Sequence, residues 1–144
     1  MAQRLNFREL KHTRSFFLTL IFLAAFSGAR AQALTPSEIA QGQLDAYNKQ
    51  DLEGFLSWYA DDVAVYNFPN ELVYQGKEQM RKIYAAGWAK NPKQKAEVTN
   101  RMVLGDTVMD KEHVTGRANG KPLEVVAIYK IEKDKIKQVY FVRQ

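Results

Sequence analysis

Hydrophobic residues recur every three or four positions in three segments between residues 35 and 90, which is the spacing of amphipathic helices. The first helix starts with a capping-box pattern, Thr35-Pro36-Ser37-Glu38, and ends at Asn48-Lys49-Gln50. A second, shorter helix is predicted with Asp51 as its cap and an end near Tyr59, before Asp61-Asp62. A third runs from about Lys77 to Lys90 and stops at Asn91-Pro92.

Runs rich in Val, Ile, Met and Tyr predict strands elsewhere. The predicted strands are Val63–Phe68, a short piece Leu72–Tyr74, and then Ala96–Leu104, Thr107–Thr115, Leu123–Ile131 and Lys135–Val142. Hairpin turns are expected at Gly105-Asp106, at Asn119-Gly120 as a type I′ turn, and at 132–134. The order predicts an α+β domain in which helices pack on one face of a curved antiparallel sheet.

The first 33 residues have a different character from the rest. Four basic residues precede an apolar run, Ser15–Phe26, that is too short to span a bilayer. Small residues follow, with Ala29-Arg30-Ala31 and Ala31-Gln32-Ala33 as alternative cleavage sites. This is the pattern of a secretory signal peptide, removed after Ala31 or Ala33. We therefore expect residues 1–33 to be the export signal, residues 34–144 to form one domain, and the protein to be secreted or periplasmic.

Locating the charge changes what the composition implies. The chain of 144 residues has a formal charge of +5, but residues 1–31 hold five basic residues and one acidic residue. The remainder holds 16 basic and 15 acidic residues, so the expected mature domain is nearly neutral and no nucleic-acid surface is predicted. It contains no cysteine and one histidine, His113, which leaves no disulfide framework, thiol nucleophile or typical zinc site. No membrane association is expected after signal cleavage.

Several phrases, together with the order of elements, resemble the nuclear transport factor 2-like superfamily in its SnoaL-like and ketosteroid-isomerase-like branch. The phrases are 47–53 (YNKQDLE), 58–63 (WYADDV), 74–78 (YQGKE), 127–130 (AIYK) and 135–139 (KIKQV). The resemblance covers residues 35–143. It implies a cone-shaped fold in which the curved sheet wraps around about three helices and encloses a pocket. This fold hosts several chemistries, so it does not by itself specify a reaction.

The resemblance also implies which strand residues face the pocket. Asp110 and Glu112 would point inward from one strand and Arg143 from the last strand, and buried charges are costly when unpaired. Two interpretations stay open. Arg143 forms an ion pair with Glu112 or Asp110 that braces the strands, or these three residues are catalytic, with an acid–base carboxylate and a stabilising arginine that can also take a carboxylate ligand.

Ketosteroid isomerase provides a comparison, since it uses an Asp base and a Tyr–Asp pair of oxyanion donors. By resemblance these positions fall on Asn67 for the base, Gln43 for the tyrosine, and Ala127 or Tyr129 for the second donor. An amide cannot act as a general base at neutral pH, so steroid isomerisation by that mechanism is not expected. The ligand-binding residues we predict are Asn67, Gln43, Tyr47, Trp88 and Tyr129.

These expectations favour an exported protein that binds a small organic molecule, with cofactor-independent acid–base chemistry of the isomerase, dehydratase or hydrolase type. No cofactor or metal is implied. The alternatives are a binding module without catalysis, and an interaction protein that forms a homodimer through its exposed sheet face, as is common in the superfamily.

Overall fold

A computed structural model describes residues 33–143, and the predicted signal peptide with both cleavage sites lies outside, or at the edge of, this range. Three helices are present, at α1 Pro36–Lys49, α2 Leu52–Leu56 and α3 Lys77–Lys90. Six strands are present, at β1 Tyr59–Asn67, β2 Glu71–Gln75, β3 Lys95–Leu104, β4 Thr107–Thr115, β5 Leu123–Glu132 and β6 Lys135–Arg143. Within these residues no helix is both long and apolar enough to cross a membrane.

Local sequence signals explain where the helices begin and end. The Thr35 hydroxyl accepts from the Glu38 amide at 3.3 Å, and the Glu38 carboxylate accepts from the Thr35 amide at 2.7 Å, so the predicted capping box is formed. Gln50 ends α1 in the left-handed conformation, with φ 54°. Asp51 then caps α2, because its carboxylate accepts from the Gly54 amide at 3.0 Å.

The six strands form one sheet in the order β2-β1-β6-β5-β4-β3. Every neighbouring pair is antiparallel except β1 and β6, which run parallel. The predicted α+β class is confirmed. The sheet was predicted to be antiparallel, but it is mixed because β1 and β6 run parallel. Register shifts interrupt β1, β3 and β5, and such bulges bend and twist strands so that the sheet curves around the helices.

Two local predictions were wrong. The second helix stops at Leu56, and Tyr59 opens β1, so Asp61 and Asp62 lie in a strand instead of ending a helix. The β4–β5 connection spans residues 116–122 and only Gly120 of the expected Asn119-Gly120 pair has a positive φ, whereas a type I′ turn needs two. Lys133 and Asp134 both have positive φ and make the tight turn between β5 and β6.

The core lies between the helices and the concave face of the sheet. Its largest fully buried side chains come from all three helices and from the sheet. They include Phe55 of α2, Ile39 of α1, Met80 of α3 and Ile136 of β6. Burial alternates along β4, so Val108, Asp110, Glu112 and Val114 all point inward, as the resemblance implied. Two carboxylates therefore enter the interior from one strand.

Two mid-helix glycines face different surroundings. A Cβ added at Gly42 in α1 would come within 2.1 Å of the Trp58 ring, whereas a Cβ at Gly87 in α3 would meet nothing within 4 Å. The first glycine is needed for the close approach of an aromatic ring. The second lowers helix propensity without making room for a neighbouring side chain.

We therefore predict opposite effects of alanine at these two positions. Gly42→Ala should lower the free energy of unfolding by about 1–3 kcal/mol through overpacking against Trp58. Gly87→Ala should raise it by about 0.5–1 kcal/mol. Urea denaturation followed by circular dichroism measures both variants, and a change of the same sign in both would contradict the described packing.

Candidate functional site

A cavity of about 370 Å³ opens between α1, α3 and the concave face of the sheet. Its walls are mainly aliphatic and aromatic. Of the lining residues, Glu112 and Arg143 are the only carboxylate and the only basic side chain. Three of the lining residues are exposed to solvent, namely Val73, Ile83 and Arg143. The cavity therefore opens between β2, α3 and the end of β6. A pocket of this size and lining suits a small organic molecule.

A chain of four buried side chains crosses the wall of this cavity. The Tyr59 hydroxyl donates to Gln43 Oε1 at 3.0 Å, and Gln43 Nε2 donates to the Tyr129 hydroxyl at 3.1 Å. The Tyr129 hydroxyl in turn donates to Glu112 Oε1 at 2.9 Å. Each donor has one acceptor, so the chain has a single direction and ends at a carboxyl oxygen of Glu112.

Glu112 is 7% exposed, and no lysine or arginine within the described part of the chain forms a salt bridge with it. Burial disfavours the ionised form and raises the pKa of Glu112 from 4.5 to about 7. The hydrogen bond from Tyr129 and the charge of Arg101 act in the opposite direction, and the charge of Asp110 adds to the increase. A carboxyl group with this pKa can both give and take a proton near neutral pH.

Asp110, two residues earlier on the same strand, is fully buried but has a cation of its own. Arg101 Nε and Nη2 donate to the two carboxylate oxygens of Asp110, each at 2.7 Å. Arg101 Nη1 also donates to the Ser37 carbonyl at 3.2 Å and to Gln41 Oε1 at 3.1 Å, which ties β3 and β4 to α1. This bidentate pair neutralises Asp110 below the cavity and leaves Glu112 as the cavity's carboxyl group.

The structure decides against one of the two interpretations, the ion pair of Arg143 with Glu112 or Asp110. Asp110 is bound by Arg101 and not by Arg143, and Glu112 is bound by Tyr129. Arg143 is exposed, and its guanidinium carbon lies 4.9 Å from the centre of the Phe141 ring in a cation–π arrangement. The interpretation in which Arg143 braces the strands through an acidic partner is therefore wrong for the described residues.

The predicted ligand-binding residues separate into two groups. Four of the five line the cavity, namely Gln43, Tyr47, Trp88 and Tyr129. Asn67 does not, because it is the last residue of β1 and its side chain donates to Glu71 Oε2 at 3.2 Å. Tyr47, Phe55, Tyr84 and Trp88 pack edge to face or tilted, with ring centres 4.4–6.2 Å apart. This aromatic cluster is both core packing and cavity wall.

Sequence reasoning missed Arg101, Tyr59 and Gln94. Arg101 could have been found from the Gly105-Asp106 turn, because pairing Leu104 with Thr107 places Arg101 directly opposite Asp110. The sequence pattern predicts Tyr59 at the end of a helix, so it does not indicate that this side chain points inward from the start of β1. Gln94 donates to the Tyr47 hydroxyl from the segment before β3, and no local pattern marks it.

Metal binding is not favoured by the described part of the chain, which has no group of three or more His, Cys, Asp or Glu side chains suited to a metal ion. His113 lies on the outer face of the sheet beside Glu124 and not in the cavity. The cavity chemistry available from these residues is therefore proton transfer, hydrogen bonding and apolar contact.

A model of the family described as SnoaL-like domain matches residues 40–139, so the chain belongs to that family. Among solved structures, it is similar to an uncharacterized cystatin fold protein from Novosphingobium aromaticivorans. The two are 34% identical, with a TM-score of 0.72 over 77% of this chain and 100% of that one. No curated protein matches the chain.

Two more distant structures share the fold. An NTF2-like protein of unknown function from Cytophaga hutchinsonii is 16% identical, with a TM-score of 0.67 over 79% of this chain and 94% of that one. An LEH-like epoxide hydrolase from M. tuberculosis is 10% identical, with a TM-score of 0.65 over 76% of this chain and 82% of that one. At these identities the likeness concerns the fold alone.

The hydrogen bond from Tyr129 makes a prediction about Glu112. Tyr129→Phe should raise the pKa of Glu112 above about 7, because that bond favours the ionised carboxylate. Tyr140→Phe on the outer face is the matched control and should leave the pKa of Glu112 unchanged. A ¹³C NMR titration of the glutamate carboxyl carbons measures both. Equal pKa values in the two variants would show that Tyr129 does not contact Glu112.

Proposed function

We propose that this SnoaL-like domain binds a small, largely apolar organic molecule in its cavity and transfers a proton to or from it through Glu112. The observation that carries the proposal is the position of Glu112, a buried carboxyl group on the cavity wall that forms no salt bridge within residues 33–143. Reactions that need only proton transfer, such as isomerisation, dehydration or hydrolysis, suit this arrangement. The fold is compatible with catalysis, since a structural neighbour with the same fold is described as an epoxide hydrolase, but the proposal rests on the residues of this cavity.

The other residues of the hydrogen-bonded chain have a positioning role in this proposal. Tyr129 fixes one oxygen of Glu112, which leaves the other oxygen to meet the ligand. Gln43 holds the Tyr129 hydroxyl so that its proton is directed at Glu112, and Tyr59 holds Gln43. Fixed orientation of the base matters because misplacement of a reacting group by about 1 Å can cost about a hundredfold in rate.

A reaction that needs only a base tests the proposal without knowledge of the natural substrate. In the elimination of 5-nitrobenzisoxazole, a base removes the ring proton, the C–H electron pair forms a nitrile, and the N–O bond breaks to give a phenolate. We expect the protein to accelerate this reaction, with a rate that rises with pH through about pH 7 as Glu112 ionises. Absorbance of the phenolate product measures the rate.

Three variants identify the base. Glu112→Gln should abolish the acceleration, and Gly87→Leu should do the same by filling the cavity from α3. Glu132→Gln, at the exposed β5–β6 turn, is the matched control and should retain it. A rate that Glu112→Gln leaves unchanged would overturn the role of Glu112. Binding of a neutral aromatic probe without elimination would support the alternative of a binding module without catalysis.

We also propose that the convex face of the sheet forms a homodimer. Six residues in lateral register make an apolar row across all six strands, and they are Met102, Met109, Ile128, Tyr140, Tyr66 and Leu72. The rings of Tyr66 and Tyr140 stack at the centre, 4.8 Å apart. At a strand spacing of about 4.8 Å the row is about 24 Å long, and a surface of this kind favours association with an equal surface.

Light scattering at increasing protein concentration tests the homodimer. The wild-type protein should have the mass of two chains, and Ile128→Glu should have the mass of one, because it puts a charge at the centre of the row. Lys130→Gln, two residues along the same strand, changes the net charge by the same amount and should leave the dimer intact. A wild-type monomer at tens of micromolar protein would contradict the proposal.

We also propose that the protein is exported, because residues 1–33 have the sequence pattern of a secretory signal peptide. Protein recovered outside the cytoplasm should begin at Gln32 or Leu34 by N-terminal sequencing. Recovery of a chain that still begins at Met1 would contradict signal cleavage.

A further inference from the structure

Among the described residues that line the cavity, Arg143 is the one basic residue, and it lies where the cavity meets solvent. Within residues 33–143 it forms no salt bridge. Its guanidinium group rests on the Phe141 ring, which also lines the cavity. A cation–π contact of this kind occupies none of the five N–H donors of the guanidinium as hydrogen-bond partners, so these donors can bind another group.

The acidic residues of the interior do not supply that partner. Asp110 is bound at both oxygens by Arg101, and Glu112 accepts from Tyr129. In the sheet, Glu112 is in register with Val125, and Val125 is in register with Arg143. Glu112 and Arg143 thus stand two strand spacings apart, about 10 Å between their backbones, with Val125 between them.

This arrangement gives the cavity two polar ends and an apolar middle. Glu112 offers a hydrogen-bonding group at the inner end, and Arg143 offers an uncompensated positive charge at the opening. Between them, the walls are aliphatic and aromatic, with Val125, Tyr84 and Trp88 among the lining residues. A planar fork of N–H donors matches a carboxylate or sulfonate, and the nearby apolar wall strengthens the attraction by excluding water.

We infer that the ligand is an amphipathic organic acid. Its anionic group binds Arg143 at the opening, its apolar or ring-containing body fills the middle of the cavity, and a polar group such as a carbonyl or hydroxyl reaches Glu112. This inference rests on the proposed function, because it assigns the class of molecule that the same cavity takes.

Two fluorescent probes with the same aromatic body separate the charge from the apolar contact. 8-Anilinonaphthalene-1-sulfonate carries an anionic group, and N-phenyl-1-naphthylamine is the same molecule without it. The wild-type protein should bind both, with the sulfonate more tightly and its affinity falling with added salt, as expected for a charge near solvent. Gly87→Leu should weaken both probes, which locates them in the cavity.

The decisive quantity is the ratio of the affinity for the sulfonate to the affinity for the neutral probe. Arg143→Gln should lower this ratio about tenfold, and Arg143→Lys should lower it less, because lysine keeps the charge but not the fork. Lys137→Gln, on the same strand but paired with Asp62 outside the cavity, should leave the ratio unchanged.

The outcomes distinguish this inference from the proposed function. If the neutral probe binds and Arg143→Gln does not change the ratio, Arg143 does not recognise an anion and the inference is overturned while the cavity proposal stands. The cavity proposal itself fails if neither probe binds the wild-type protein, or if Gly87→Leu leaves the affinity for both probes unchanged.

Discussion

The arrangement of the interior depends on one constraint, the high cost of placing a carboxylate in an apolar enclosure without a cation. Because side chains alternate along a strand, the same register that buries Val108 and Val114 also buries Asp110 and Glu112. The fold treats these two acids differently. Asp110 is bound at both oxygens by Arg101 of β3, and Arg101 also donates to two residues of α1. Among the described residues Glu112 is bound by the hydroxyl of Tyr129 and by no cation, and burial raises its pKa above the ordinary value of a glutamate.

The cavity follows from the same geometry that curves the sheet. Bulges in β1, β3 and β5 bend the strands so that the sheet curves around the helices, and the helices do not fill the concave space completely. Gly87 contributes on the helix side, where a larger side chain would occupy open space. The aromatic rings of Tyr47, Tyr84 and Trp88 close the enclosure around Glu112. The packing that stabilises the domain therefore also supplies the apolar surroundings that set the pKa of its acid.

Much of the fold was predictable because the relevant signals are local. Helix caps, turn residues and period-two alternation identified three helices and the strands at about the right positions, and the inward face of β4 agreed with the resemblance. The failures concern information that is not local. The parallel pairing of β1 with β6 brings distant segments together, and the partner of Asp110 depends on a hairpin register. The resemblance placed Arg143 and Glu112 on one face, and the structure confirms that face, but the acids bind Arg101 and Tyr129 instead of Arg143.

The central claim is that Glu112 is held protonated near neutral pH by its surroundings. The folded protein then keeps a proton from pH 4.5 to about 7 that the unfolded chain releases, so its stability falls as pH rises through this window and levels off above it. The most direct measurement is the free energy of unfolding of wild-type protein and Glu112→Gln between pH 4 and 9, by urea denaturation. The wild-type protein should lose stability relative to the variant, by on the order of 3 kcal/mol across the full window. A difference between the two proteins that does not change with pH would contradict the claim.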